Sequence, residues 1–139
     1  MVGVPRLNGI IETALHVRDL AASIEFYQRL GLEVIAGNER FCALSVAGRD
    51  LLLLFLEGAS NSPVDLPGGR IPPHGSSGAI HFAFSIDRSE LSAWELFLEG
   101  QGIVLESRVE WERGGISLYF RDPDGHLAEI ATPGVWSVY

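Results

Sequence analysis

Ile11-Glu12-Thr13-Ala14-Leu15-His16-Val17-Arg18-Asp19-Leu20 decides the fold, because its character changes midway. Up to Val17 the residues alternate with the period of a half-buried strand. Asp19 then offers a helix N-cap. Leu20, Ile24, Tyr27 and Leu30 recur at helical spacing, and Gly31 stops the helix. Strands are expected next at residues 32–35, 41–46 and 51–56, punctuated by Gly37-Asn38 and Gly48-Arg49. The run 51–56 is the greasiest in the chain and reads as a strand buried on both faces, far too short to span a bilayer.

The same order then recurs. Residues 80–86 read as a strand, and Asp87 with Glu90 resembles a capping box. Leu91, Trp94 and Leu98 give a helical face that ends at Gly100 and Gly102, before strands at 103–109, 116–121 and 127–131. Glu12 precedes Val17 by the interval at which His81 precedes Ile86, and each helix exits through a Gly-apolar step, Gly31-Leu32 and Gly102-Ile103. Residue identity between the halves is low, so the repeat lies in the elements. Each unit must bury one sheet face under its helix while the other face curves toward its counterpart. The expected fold is α+β, with two tandem βαβββ modules, 8–57 and 79–135, forming a cup-shaped, mostly antiparallel sheet in a single domain. Residues 58–78 form a Gly/Pro-rich loop in which Pro63, Pro67, Pro72 and Pro73 exclude helix and central strand. A lid and a flexible linker both fit this loop.

Composition narrows the partners. The 139 residues are 47% hydrophobic and 20% charged, an ordinary balance for a globular chain, with a formal charge of -8. Nucleic acid and anionic membranes would be repelled. Cys42 is the only cysteine, which removes intrachain disulfides and Cys-based zinc sites. With no secretory pattern at the N-terminus, a cytoplasmic protein is expected.

Strand parity sorts the chemistry. In the first strand Thr13, Leu15 and Val17 should meet the helix, leaving Glu12, Ala14 and His16 opposite. In the fifth predicted strand, Phe82, Phe84 and Ile86 are the core set and His81, Ala83 and Ser85 face away. Glu129 stands between apolar neighbours on a central strand, costly unless paired or metal-bound. Two carboxylates and one imidazole (Glu12, His81, Glu129), with positions left open, suit a divalent ion of Mn, Fe, Ni, Co or Zn type. An ion pair or a solvated edge is the alternative reading of the same three residues. Ser117, Tyr119 and Arg121 share one strand face and could orient an oxygen-rich substrate. His16 stands too far along its strand to share an ion with Glu12, but could touch substrate or simply be exposed. His74 reads as a surface residue, His126 as leaving the site, Trp94 as core, and Trp111 and Trp136 have no assigned place.

Three segments resemble one family. Residues 12–20, continuing through Ser23, Phe26-Tyr27 and Leu30-Gly31, resemble the opening of vicinal-oxygen-chelate proteins, the glyoxalase/bleomycin-resistance/dioxygenase superfamily. Gly78-Ala79-Ile80-His81-Phe82-Ala83-Phe84 resembles the start of their second module, and Tyr119-Phe120-Arg121-Asp122-Pro123-Asp124-Gly125-His126-Leu127-Ala128-Glu129 their closing hairpin. The resemblance implies metal ligands at Glu12, His81 and Glu129, and a homodimer in which Glu12 of one chain joins His81 and Glu129 of the other. It also places Ser117 and Tyr119 at polar positions that line the pocket in fosfomycin-modifying relatives.

Two departures shape the functional expectation. The first-strand ligand is commonly His in extradiol dioxygenases and in fosfomycin-modifying thiol transferases, whereas here it is Glu12. No two-His-one-carboxylate iron site is available at these three positions, so oxygenation ranks low. Glyoxalase I takes a further carboxylate from the strand matching 51–56, which holds only Leu and Phe here, with Glu57 beyond its end. The leading expectation is a metal-dependent lyase or isomerase acting on a small oxygenated molecule, with Glu129 or Glu12 as proton acceptor. The alternative is a metal-free protein that sequesters a small aromatic or cationic molecule, as bleomycin-resistance relatives do. A weaker third reading is a module that only pairs with another protein.

Overall fold

A computed structural model describes residues 3–139 of the chain. Its contacts group into two compact units, one ending at Ser77 and one running from Gly78 to Tyr139. In the first unit the order is β1 (Glu12–Val17), α1 (Leu20–Arg29), β2 (Glu33–Asn38), β3 (Phe41–Val46) and β4 (Asp50–Leu56). The loop adds a short hairpin, β5 (Val64–Leu66) with β6 (Gly69–Ile71), exposed throughout. The second unit holds β7 (His81–Ser85), α2 (Leu91–Gly100), β8 (Ser107–Glu110), β9 (Ile116–Arg121) and β10 (Leu127–Ala131).

The two sheets have the same topology, β1-β4-β3-β2 and β7-β10-β9-β8. In each, the first strand pairs in parallel with the last and the remaining pairs are antiparallel. The α+β class and the βαβββ order read from the sequence are therefore both present. β10 is central in its sheet, flanked by β7 and β9, which puts Glu129 on an inner strand.

Parity holds in the first unit. Leu15, Val17, Leu52, Leu54 and Leu44 are fully buried on one face, with Tyr27 of α1 buried as well. Each such Leu contributes about 2 kcal/mol relative to exposure. The other face of β4 is only half-buried at Leu51, Leu53 and Phe55, so the run expected to be buried on both faces is covered on one. Asp19 caps α1 through a hydrogen bond accepted from the Ala22 amide at 3.0 Å.

Three local expectations are corrected. Gly37-Asn38 lies inside β2, where a Cβ on Gly37 would come within 2.8 Å of the Phe41 carbonyl oxygen; close strand approach, and not a turn, needs that glycine. The turn follows it, with the Arg40 amide donating to the Asn38 side chain at 2.8 Å. The Asp87 side chain caps nothing, because a 3₁₀ turn at Arg88–Glu90 intervenes before α2. Ile103 and Val104 belong to the exit from α2, where the Ile103 amide donates to the Leu98 carbonyl, and pairing with β9 begins only at Glu106. Among the described residues, no helix is long and apolar enough to cross a membrane.

Candidate functional site

Strand pairing assembles the second unit's candidate residues on one sheet face. Glu129 of β10 lies between Ala83 of β7 and Tyr119 of β9, with His81 and Arg121 flanking Leu127 one step away and Ser117 beside Ala131. Residues paired across neighbouring strands share a face. Glu129 is 6% exposed and Ser117 fully buried, so the carboxylate has left water and depends on its partners. Two of them are well placed: His81 Nε2 lies 3.1 Å from Oε1, and the Ser117 hydroxyl donates to Oε2 at 2.6 Å. The second bond is short because its acceptor is a carboxylate.

The state of His81 follows from its other nitrogen. Nδ1 lies 2.9 Å from the Leu127 carbonyl oxygen, which only accepts, so Nδ1 carries a proton. A neutral His81 then turns the lone pair of Nε2 toward a carboxylate oxygen, an arrangement that calls for a positive charge between or beside them. Either a proton shared between the ring and the carboxylate or a bound cation supplies it. For a cation the spacing fits: adjacent ligands at about 2.1 Å from one ion, at right angles, lie about 3.0 Å apart. The Nδ1–carbonyl bond is also the usual outer support of a metal-ligating histidine. The residues present therefore fit a divalent metal at the His81–Glu129 pair.

Tyr119 completes this face. Burial foremost, and the Glu129 charge beside it, raise its phenol above the ordinary range, partly offset by a hydrogen bond with Ser117. Arg121 shares the face, but its guanidinium is engaged by Glu106 at 3.0 Å and by the Gly125 carbonyl at 3.0 Å. Trp111, unplaced by sequence reasoning, donates its indole N–H to Ser117 Oγ at 2.9 Å. No local pattern announced that contact; it depends on the length of the turn between β8 and β9. His126 is buried, and its Nδ1 accepts from the Ile80 amide at 3.0 Å. It fastens the start of β7 to the β9–β10 turn.

The first unit holds Glu12, exposed at the start of β1, and His16, half-buried further along. Among the described residues, no group of three or more His, Cys, Asp or Glu gathers within the chain to hold a metal ion. His16 instead organises the loop. Its Nδ1 lies 3.0 Å from Ser76 Oγ, and its Nε2 lies 3.2 Å from Ser60 Oγ and 3.3 Å from His74 Nδ1. The Ser60 hydroxyl donates to the His74 carbonyl at 2.7 Å, and Phe55 packs edge-on against the His74 ring with centroids 4.5 Å apart. His74 is exposed, as expected of a surface residue, and also contacts His16 of β1 and Phe55 of β4. The rigid Pro72-Pro73 step before it was the available clue.

Comparison with known proteins agrees with this architecture. The sequence pattern of the Glyoxalase/Bleomycin resistance protein/Dioxygenase superfamily matches residues 9–130. The chain is 35% identical over 132 residues to a metallothiol transferase FosB of Bacillus licheniformis, covering 94% of this chain and 79% of that protein. It is 33% identical to a metallothiol transferase FosB of Staphylococcus epidermidis, covering 91% and 82%. Among solved structures, a lactoylglutathione lyase from Agrobacterium tumefaciens superposes with a TM-score of 0.85 at 34% identity, covering 96% of this chain and 99% of that one. The chain belongs to the Glyoxalase/Bleomycin resistance protein/Dioxygenase superfamily.

Proposed function

We propose that the protein is a divalent-metal-dependent enzyme that makes or breaks a bond between a thiol sulfur and a small oxygenated molecule. The observation that carries this reading is the buried Glu129 carboxylate, held by Ser117 on one oxygen and facing the Nε2 of His81 with the other. His81 and Glu129 would hold the metal, with Glu12 of a second subunit as a third ligand. A divalent cation there supplies Lewis-acid polarisation of a substrate oxygen.

The chain's own groups do the rest. Tyr119 keeps its phenolic proton well into alkaline conditions and so can donate a hydrogen bond to a substrate oxygen. Glu129 or Glu12 would accept a proton when not fully committed to the metal. Relatives named metallothiol transferase and a structural neighbour named lactoylglutathione lyase both concern thiol compounds, which supports the sulfur-linked substrate. Within that class we favour addition or elimination over isomerisation. Shuttling a proton between two carbons needs a second base near the metal, and β4 presents only Leu and Phe over 51–56.

Calorimetric titration with Mn(II), Ni(II) and Zn(II) tests the site. Stoichiometric binding in the wild type, lost in His81→Ala and in Glu129→Ala, is the expected result. Metal-loaded protein is then given glutathione or cysteine with an epoxide or with an α-ketoaldehyde, and carbon–sulfur products are followed by mass spectrometry. A wild type that binds none of the three ions yet retains a small aromatic or cationic ligand would replace this reading with the sequestering one.

A further inference from the structure

The β8–β9 turn is built to a narrow specification. The Trp111 amide donates to the Gly115 carbonyl at 2.8 Å, and the Trp111 carbonyl accepts from the Gly114 amide at 2.9 Å. Gly114 has φ 92°, which favours glycine, and a Cβ on Gly115 would fall 2.3 Å from the Val135 nitrogen. The turn therefore fixes the backbone of Trp111, and its indole reaches Ser117.

The chemistry of that contact has one direction. An indole N–H only donates, a carboxylate only accepts, and a serine hydroxyl has a single proton. Ser117 Oγ must accept from Trp111, which points its own proton at Glu129 Oε2. With Oε2 held, Oε1 is the oxygen that faces His81 Nε2. We infer that Trp111 is a positioning residue of this site, setting through Ser117 which oxygen of Glu129 is offered to a metal or substrate. The inference rests on the proposed role of Glu129. It also moves Ser117 from contacting substrate to holding the carboxylate.

Two measurements test the relay. In the first, Trp111→Phe lowers Mn(II) affinity by about ten-fold, within the range typical of groups that support a ligand from behind. Ser117→Ala gives a similar loss, and the double variant loses no more than the larger single, because both changes cut one chain of bonds. Thermal melts show whether each variant is folded; a role confined to packing would move the melting temperature and leave affinity alone. Wild-type affinity in a folded Trp111→Phe protein, or additive losses in the double variant, would overturn the inference.

The second measurement needs neither metal nor activity. The indole N–H signal of Trp111, identified by its loss in Trp111→Phe, is followed by ¹H–¹⁵N NMR. Glu129→Ala and Ser117→Ala should both shift it, and Ser117→Ala should also speed its exchange with solvent. An indole signal unmoved by Glu129→Ala breaks the relay. If wild-type protein binds no divalent ion, the metal reading fails while this experiment still decides whether Trp111, Ser117 and Glu129 are coupled.

Discussion

Ala47 occupies φ 55° between β3 and β4, beside Gly48 at φ 70°, with the Arg49 amide donating back to the Val46 carbonyl at 3.2 Å. Two successive left-handed residues suit the right-handed twist of a hairpin, but alanine adopts that region at a cost. Ala47→Asn should therefore raise unfolding stability by about 0.5–1 kcal/mol, read as a higher denaturant midpoint with unchanged slope. Cys42 makes a second residue-scale case. It is almost fully buried, and that burial raises its thiol above the ordinary range. An unfolded thiol ionises above about 8.5 while the folded one stays neutral. The group's contribution is thus complete below the unfolded value and is lost as pH climbs toward the folded one. A disulfide-exchange reagent at pH 8 should label Cys42 slowly in native protein and at the rate of a free thiol after unfolding; equal rates would contradict its burial. Parity set His81 opposite the core set of its strand, and the family resemblance joined it to Glu129. The Trp111–Ser117 contact stayed hidden because alternation says which face a side chain takes and nothing about what bends over that face from a neighbouring turn.

Elements with strong local signals followed the sequence, and those shaped by neighbours did not. α1 began at its Asp19 cap, and β3, β9 and β10 kept their expected bounds. β2 and β8 shifted, because a strand extends as far as its partner offers hydrogen bonds. The loop at 58–78 was read as lid or linker, and within its unit it is anchored: His16 reaches Ser60, His74 and Ser76. The proton positions in this network are constrained. Ser60 gives its proton to the His74 carbonyl, so its oxygen accepts from His16 Nε2–H, and in the neutral ring Nδ1 accepts from Ser76. His16→Ala removes three of these contacts at once. The loop should then be cut by a nonspecific protease at least several-fold faster, at concentrations that leave the wild type intact, with little change in global unfolding. Equal cleavage rates would mean that the β5–β6 hairpin and loop packing hold it without His16.

For the whole molecule, the test concerns assembly. Glu12 lies in the first unit and the His81–Glu129 pair in the second. A homodimer with shared sites would complete each centre with Glu12 from the opposite chain. Glu12→Ala and Glu129→Ala proteins should each be inactive. After unfolding and refolding together, mixed dimers would carry one intact centre, restoring about a quarter of wild-type activity per chain in a random mixture. No recovery in mixtures that sedimentation shows to be mixed dimers would place Glu12 with the His81–Glu129 pair of its own chain, or outside the centre altogether.

The parallel pairing of β1 with β4, and of β7 with β10, has a consequence for synthesis. In each sheet the earliest strand finds its hydrogen-bonding partner only in the latest. On the ribosome, a nascent chain that has exposed β1, α1, β2 and β3 still lacks the strand that seats β1, and closing that long-range pair sets the pace. The first sheet can close once Leu56 clears the exit tunnel, before β7 has emerged from it, so the polypeptide is suited to maturing in two successive steps during translation.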